Sequence, residues 1–325
     1  MDMAISPMVN NKQRYRGVAT DLPNLPVFFN PWYLDAACGD QNWEVCISQD
    51  NGGRIQGVLP YFRSSKYGIS HITMPLLLPY LGPWVIHPQN PSKQATRYSY
   101  EKKVLTTLLQ QIPKVALIKM HCHPKFSNVL AAYWHGYEMH VRYTYIISQG
   151  DKDKIWDAID AKQRNIITSV KDKFKVIESE NINEFYRLNS LSFSRSGNTI
   201  PYDAEYINRL YNALKLNDKG RVYMCIDRDN QPHAAILLAN DKQSTYCLGI
   251  GNDPKHKNSG ALSLLMWRTI LDSLKETESF NFEGGMIPNI EKFFRSFGGQ
   301  LTPYYKIQKA KTPFLKGLFT WINKM

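Results

Sequence analysis

The sequence predicts an α/β protein built from two similar domains, and three observations lead there. From Ser244 to Gly299 the chain reads strand, short polar loop, amphipathic helix, strand, glycine turn, helix. The first half presents the same kinds of element in a similar order. Ala132-Tyr133-Trp134-His135-Gly136-Tyr137 is echoed by Phe294-Arg295-Ser296-Phe297-Gly298-Gly299, each followed by a tyrosine-bearing strand.

In the first half, Asn42 to Gln49 reads as a strand, Asp50 to Gly53 as a hairpin turn and Arg54 to Arg63 as its partner. Met74 to Trp84, with three prolines and a glycine, reads as an apolar loop buried in a cleft or between domains. A helix over Tyr100 to Gln111 stops before Pro113, and a strand follows over Lys114 to His121. Ser127 to Trp134 is a helix ended by Gly136, and Tyr137 to Ile147 a strand.

In the second half, one helix is expected over Lys154 to Asp172, with Ile155, Trp156, Ile159, Ile166 and Val170 as its buried stripe. Asn183 to Leu191 is the next helix, and a small-residue loop from Phe193 to Tyr202 carries Arg195. Strands follow over Arg221 to Asp227, Gln231 to Ala239 and Thr245 to Gly249. The helix opening near Leu262 shows Leu264, Trp267, Leu271 and Leu274 at helical spacing. Ser279 to Glu283 is a strand, Asn289 to Phe297 a helix, and a last strand passes Tyr304.

The 325 residues suffice for two domains, and 43% hydrophobic residues suffice for a core in each. A formal charge of +12 favours acidic partners: phosphates, nucleotide-linked substrates, anionic lipid or nucleic acid. No helix-turn-helix, zinc-finger or RNA-recognition signature is present, so DNA is not an expected partner. The five cysteines are scattered, which implies neither a disulfide framework nor a metal site. No signal peptide or membrane-crossing run is visible, and a cytoplasmic protein is expected.

The loop before the Leu262 helix carries the chemistry. Asn258-Ser259-Gly260-Ala261 opens that helix with small residues, which leave backbone N–H groups uncovered where the dipole is positive. Lys255 and Lys257 add cations, and His256 lies between them. An anion such as a pyrophosphate fits there; a plainly capped helix with solvated lysines fits the same residues. Glu283, between Phe282 and Gly284, reads either as a base or as a carboxylate closing the turn against Lys292 or Arg295. Lys162 and Arg164 read as cleft residues or as an exposed basic helix, and Arg195 as an anion ligand or a surface residue.

The glycine-ended strand, the Asn258-to-Ala261 opening, Phe280-Asn281-Phe282-Glu283-Gly284 and Glu291-Lys292-Phe293-Phe294-Arg295-Ser296-Phe297-Gly298 resemble the GNAT acyltransferase superfamily. Lys162-Gln163-Arg164-Asn165-Ile166 and Arg195-Ser196-Gly197 are similar to segments of its FemAB-like branch, which joins two GNAT-type domains. The resemblance implies two tandem domains, each a mixed, mostly antiparallel sheet flanked by helices. An acceptor domain over residues 1–148 and a donor domain over residues 149–309 are expected.

It also implies acyl transfer to an amine, with acyl-CoA held by Gly249, Lys255, Asn258, Ser259, Gly260 and Ala261. Glu283 comes first and His256 second as base; Lys162, Arg164, Arg195, Tyr202 and Arg295 are expected at the substrate, and no metal is expected. Lys255-x-x-Asn258-x-Gly260 keeps only the spacing of the GNAT pyrophosphate loop, and the helical arm that FemAB proteins insert for tRNA has no counterpart. Acetyl-CoA or another acyl-CoA is therefore favoured as donor over aminoacyl-tRNA. The acceptor is expected to be a small, lipid-linked or nucleotide-linked amine of envelope or polysaccharide synthesis. The alternative is a non-catalytic scaffold holding a nucleotide sugar or an envelope-synthesis complex. Residues 310–325 place Phe314, Leu318, Trp321 and Ile322 on one helical face, suited to docking on the first domain or lying on a membrane.

Overall fold

A computed structural model describes residues 10–66, 68–88 and 93–312. In chain order these form α1 (Asn11–Val18), α2 (Pro31–Cys38), β1 (Trp43–Gln49), β2 (Ile55–Lys66), β3 (Ile69–Thr73), β4 (Trp84–Val85) and α3 (Gln94–Gln110). Then come β5 (Leu117–His121), α4 (Leu130–Trp134), β6 (Glu138–Ser148), α5 (Lys152–Asp157), α6 (Ala161–Val170) and β7 (Lys175–Ser179). After them run α7 (Ile182–Arg195), α8 (Ala204–Leu216), β8 (Gly220–Ile226), β9 (Pro232–Asn240) and β10 (Ser244–Asn252). Last are α9 (Ala261–Ser273), β11 (Ser279–Asn281), α10 (Pro288–Arg295) and β12 (Gln300–Ala310). The fold is mixed α/β, and its sheet pairing is mostly antiparallel.

The chain divides into two units. The first takes the described residues up to Pro75, those within Tyr80–Val141 and those from Tyr304 to Thr312. Its strands follow the order β1-β2-β3-β5 and then the Lys306–Ala310 part of β12, with β4 also on β2. The β1–β2 hairpin forms because Asp50 Oδ1 accepts the amides of Gly52 and Arg54, while Gly53 takes φ +79° at no steric cost. Val104, Leu105 and Leu108 of α3 then cover the strands, and a Cβ on Gly57 would stand 2.5 Å from Val104 Cγ1. Of the expected amphipathic tail over residues 310–325, residues 313–325 lie outside the described residues.

The second unit comprises Leu76–Pro79 and Arg142–Pro303, with strand order β6-β11-β10-β9-β8-β7. Every pairing is antiparallel except β10 with β11. β9 shows why its sequence, PHAAILLAN, is a continuous apolar run. Ala234, Ile236 and Leu238 face one core, with α6 and α9, while Ala235 and Leu237 face the other, with α7 and α8. A strand buried on both faces loses the alternation of a half-buried one.

Four expectations change here. The helix over Lys154 to Asp172 is two, α5 and α6, because the Asp160 amide bonds Ser296 O at 2.9 Å and Gly298 packs against Ala158 O. α7 runs on to Arg195, which therefore sits in a helical last turn rather than a loop. α9 is buried nearly all round; Ala261, Leu265, Met266, Thr269 and Ile270 are its most buried residues, and Leu264 and Leu271 are half-buried. α8, β7, β3 and the two N-terminal helices carry no signal among the expected elements.

The proline-rich loop buries Tyr80, whose ring meets His123 edge-on at 5.1 Å and Tyr304 at 5.2 Å. His123 accepts the Lys125 amide at Nδ1 (3.2 Å), so that nitrogen carries no proton. Burial, with the Lys125 charge second, pushes its imidazole down to about 3. Between pH 6.5 and about 3 the unfolded chain binds a proton there and the folded chain does not, so stability falls as pH falls. Urea unfolding should show a loss of about 2 kcal/mol from this group between pH 6.5 and 5. The His123 ring resonances should stay at their neutral positions across the same range.

Candidate active site

In the second unit, β10 and β11 run parallel through only three pairs, Ser244↔Ser279, Thr245↔Phe280 and Tyr246↔Asn281. The buried Ser244 and Ser279 hydroxyls, 2.7 Å apart, close that end. Past Asn281 the chain stays with β6: the Phe282 amide bonds Tyr145 O at 3.0 Å. β10 continues alone to Asn252, paired with β9 and bulged at Leu248. The two parallel strands thus part into a fork after Tyr246 and Asn281.

Each prong has its own brace. Asn281 Oδ1 accepts the Thr144 hydroxyl at 2.7 Å and the Glu283 amide at 3.0 Å. That contact holds Glu283 at φ +53°, a conformation costly for a residue with a Cβ. On the other prong, α7 lies directly on β10: a Cβ on Gly249 would meet Phe185 Cζ at 2.9 Å, and one on Gly251 would meet the Asn189 amide at 2.6 Å. Asn189 Nδ2 donates to Ile250 O at 2.6 Å, and Tyr202 OH donates to Asn189 Oδ1 at 2.6 Å.

The Glu283 charge is felt on β10. Burial first, then Glu283, raises the Cys247 thiol, and Tyr246 is raised by burial, Asp241 and Glu283 in turn. Two residues past the last parallel pair, Tyr246↔Asn281, Glu283 stands where the fork opens.

Beyond Asn252, Asp253 caps a 3₁₀ turn over Pro254–His256, and Gly260 takes φ +79° to start α9. The Ala261 amide is satisfied by Ser259 Oγ at 3.3 Å, and the first helical bond is Leu264 N–H to Gly260 O at 3.1 Å. Among the described residues, the amides of Asn258, Gly260, Leu262 and Ser263 have no partner. Lys255, Lys257 and Asn258 are exposed beside them. On one side the corner is walled by α6, since a Cβ on Gly260 would stand 2.9 Å from Val170 and 3.1 Å from Ile166.

The expected residues separate accordingly. Glu283 stands at the fork, and His256 beyond the far end of β10, half-buried and stacked on His233 at 3.8 Å between ring centres. Lys255, Asn258, Ser259, Gly260 and Ala261 share the α9 corner, and Gly249 lies under α7. The five substrate candidates do not converge; they are divided between the two faces of the sheet. Arg195 and Tyr202 are on the α7–α8 side, where Tyr202 is buried and bonded to Asn189. Lys162, Arg164 and Arg295 are on the α6–α10 side. Arg164 donates to Asp157 O at 2.9 Å and so caps α5, while Arg295 pairs with Glu291 at 2.9 Å.

Sequence reasoning missed Asn281, Thr144 and Asn189. Asn281 had a signal, a polar residue between two phenylalanines in a strand. Asn189 and Thr144 had none, because their partners are remote in sequence.

A mixed sheet whose one parallel pair parts beside a helix N-terminus defines an acyltransferase-type scaffold. Residues 159–285 match the family described as an acetyltransferase (GNAT) domain. Residues 159–285 thus carry a GNAT-type domain, and the fold of the chain is GNAT-like. No curated protein sequence matches it. In fold it is similar to the crystal structure of FemX, with a TM-score of 0.67 at 12% identity, covering 92% of this chain and 96% of that one. The C-terminal domain of a putative lysylphosphatidylglycerol synthetase from Agrobacterium fabrum gives 0.56 at 11% identity, with 95% and 96% covered. L-PGS from Bacillus licheniformis gives 0.51 at 9%, with 90% and 92% covered. At these identities the likeness is one of fold. Among the described residues no helix is long and apolar enough to cross a membrane, and no group of three His, Cys, Asp or Glu side chains can hold a metal.

The Glu283 backbone yields a prediction of its own. Glycine adopts φ +53° freely, so Glu283→Gly should raise the unfolding free energy by about 1 kcal/mol, read as a higher urea midpoint. A lower midpoint would mean that the carboxylate contributes more to the fold than its backbone costs.

Proposed function

We propose that the protein is an acyltransferase moving an acyl group from acyl-CoA to an amine on a cell-envelope or polysaccharide precursor. The observation behind this is the fork itself, with the Glu283 carboxylate where β10 and β11 part. The donor set of the α9 corner fits a pyrophosphate: unpartnered amides at Asn258, Gly260, Leu262 and Ser263, with the Lys255 and Lys257 ammoniums alongside. Acetyl-CoA or another acyl-CoA, when bound, supplies the acyl group as a thioester.

The chain's own residues then do three things. The corner amides and lysines hold and orient the anionic end. The open edge of β10, bulged at Leu248, offers backbone N–H groups to an extended arm and to the oxygen on which charge builds. Glu283 Oε takes the proton that the acceptor ammonium must shed to attack. The aminoacyl-lipid product in the name of the lysylphosphatidylglycerol synthetases supports an amino-group or lipid-linked chemistry for the branch, with aminoacyl-tRNA as the lesser alternative donor.

Calorimetry with CoA and acetyl-CoA should show binding that weakens about tenfold in Lys255→Ala/Lys257→Ala. In an acetyl-transfer assay with amine acceptors, Glu283→Gln should lower kcat by about 10²-fold or more with CoA affinity unchanged. Unchanged turnover removes Glu283 as base. No binding of either CoA species removes the donor and leaves aminoacyl-tRNA or the scaffold alternative.

A further inference from the structure

We infer that the outer face of α3 and α4 in the first unit is a docking surface for an anionic lipid bilayer. The face belongs to the first unit and shares no residue with the fork.

Trp134, Tyr133, Leu130 and Tyr98 are 61%, 60%, 51% and 49% exposed. Tyr98 and Lys102 are one turn apart on α3, and Leu130 and Trp134 one turn apart on α4. Lys102 Nζ lies 5.3 Å from the centre of the Trp134 ring, and Asn128, just before α4, donates to Tyr98 O at 3.3 Å. The two pairs therefore form one continuous face.

Its charge has one sign. Lys102 is exposed there and Lys103 is exposed next to it in the chain, α4 has no charged residue, and the single carboxylate of α3, Glu101, is buried and bonded to Arg97 and Asn128. Tryptophan and tyrosine, apolar in body and polar at one edge, suit the headgroup level of a bilayer, and lysines beside them suit anionic headgroups.

Two other occupants fit less well. A second copy seated symmetrically would set Lys102 and Lys103 against themselves, in a chain already at +12. Single-stranded RNA would stack on the rings but gain little from Leu130, which acyl chains receive well.

The test is vesicle co-sedimentation of the full chain on phosphatidylglycerol/phosphatidylcholine and on pure phosphatidylcholine. Binding to the anionic vesicles is expected, with at most one-tenth as much on the neutral ones. Leu130→Ser/Trp134→Ser should weaken it about tenfold or more, and Lys102→Glu/Lys103→Glu should abolish the anionic preference. Melting temperatures should hold in both, since all four side chains are exposed. Phe314→Ser/Trp321→Ser tests the C-terminal segment in parallel. Binding lost only in that variant overturns the proposal. So does a tRNA gel shift, or a dimer by light scattering, that disappears with Trp134 while vesicle binding is absent.

Discussion

The structure of the second unit depends on where one asparagine side chain spends its acceptor. Asn281 is buried at the last parallel pair, and its Oδ1 takes the Thr144 hydroxyl and the Glu283 amide. Buried polar groups need partners, and these two lie on β6 and on the turn after β11. The continuing chain is thereby held to β6, and the Phe282 amide joins it there. β10 loses its parallel neighbour at that point, so the fork follows from satisfying a buried amide.

The second prong is held by different means. Gly249 and Gly251 present no side chain, so α7 settles onto β10 at distances that a methyl group would forbid. Asn189 bonds Ile250 O, Ser192 Oγ accepts the Asn252 amide at 2.9 Å, and the Tyr202 hydroxyl orients Asn189. These contacts stiffen the strand from the α7 face. They also account for two residues that the sequence offered to ligands: Gly249 and Tyr202 shape the strand through α7.

Much of this was legible before any coordinates. The order of elements from Ser244 to Gly299 followed from glycines and apolar spacing, and the structure has it. Residues whose meaning is local were read well: Asp50 in its hairpin, Gly260 at the start of α9. What escaped depends on remote partners. Asp160 breaks a helix because Ser296 O, far along the chain, takes its amide. Arg164 and Arg295 look available as a sequence, and in the fold each is committed, one to the end of α5 and the other to Glu291. Charge alone cannot tell a ligand-seeking arginine from one capping a helix.

The spacing along β10 limits what the site can hold. Glu283 follows the Tyr246↔Asn281 pair, while the amides and lysines of the α9 corner follow Asn252. Six residues of strand separate the two ends, about 20 Å at the rise of an extended chain. A compact anion could meet only one end, and a flat ring system would leave the open strand edge unpaired. A ligand engaging both must be long and thin, anionic at one end and reactive at the other. Its middle must pair with backbone, because the Gly-Ile-Gly run offers β10 little else. With one sign of charge at the corner and the other at the fork, the site also distinguishes the two ends of such a ligand. Its reactive end is then the one that meets the carboxylate.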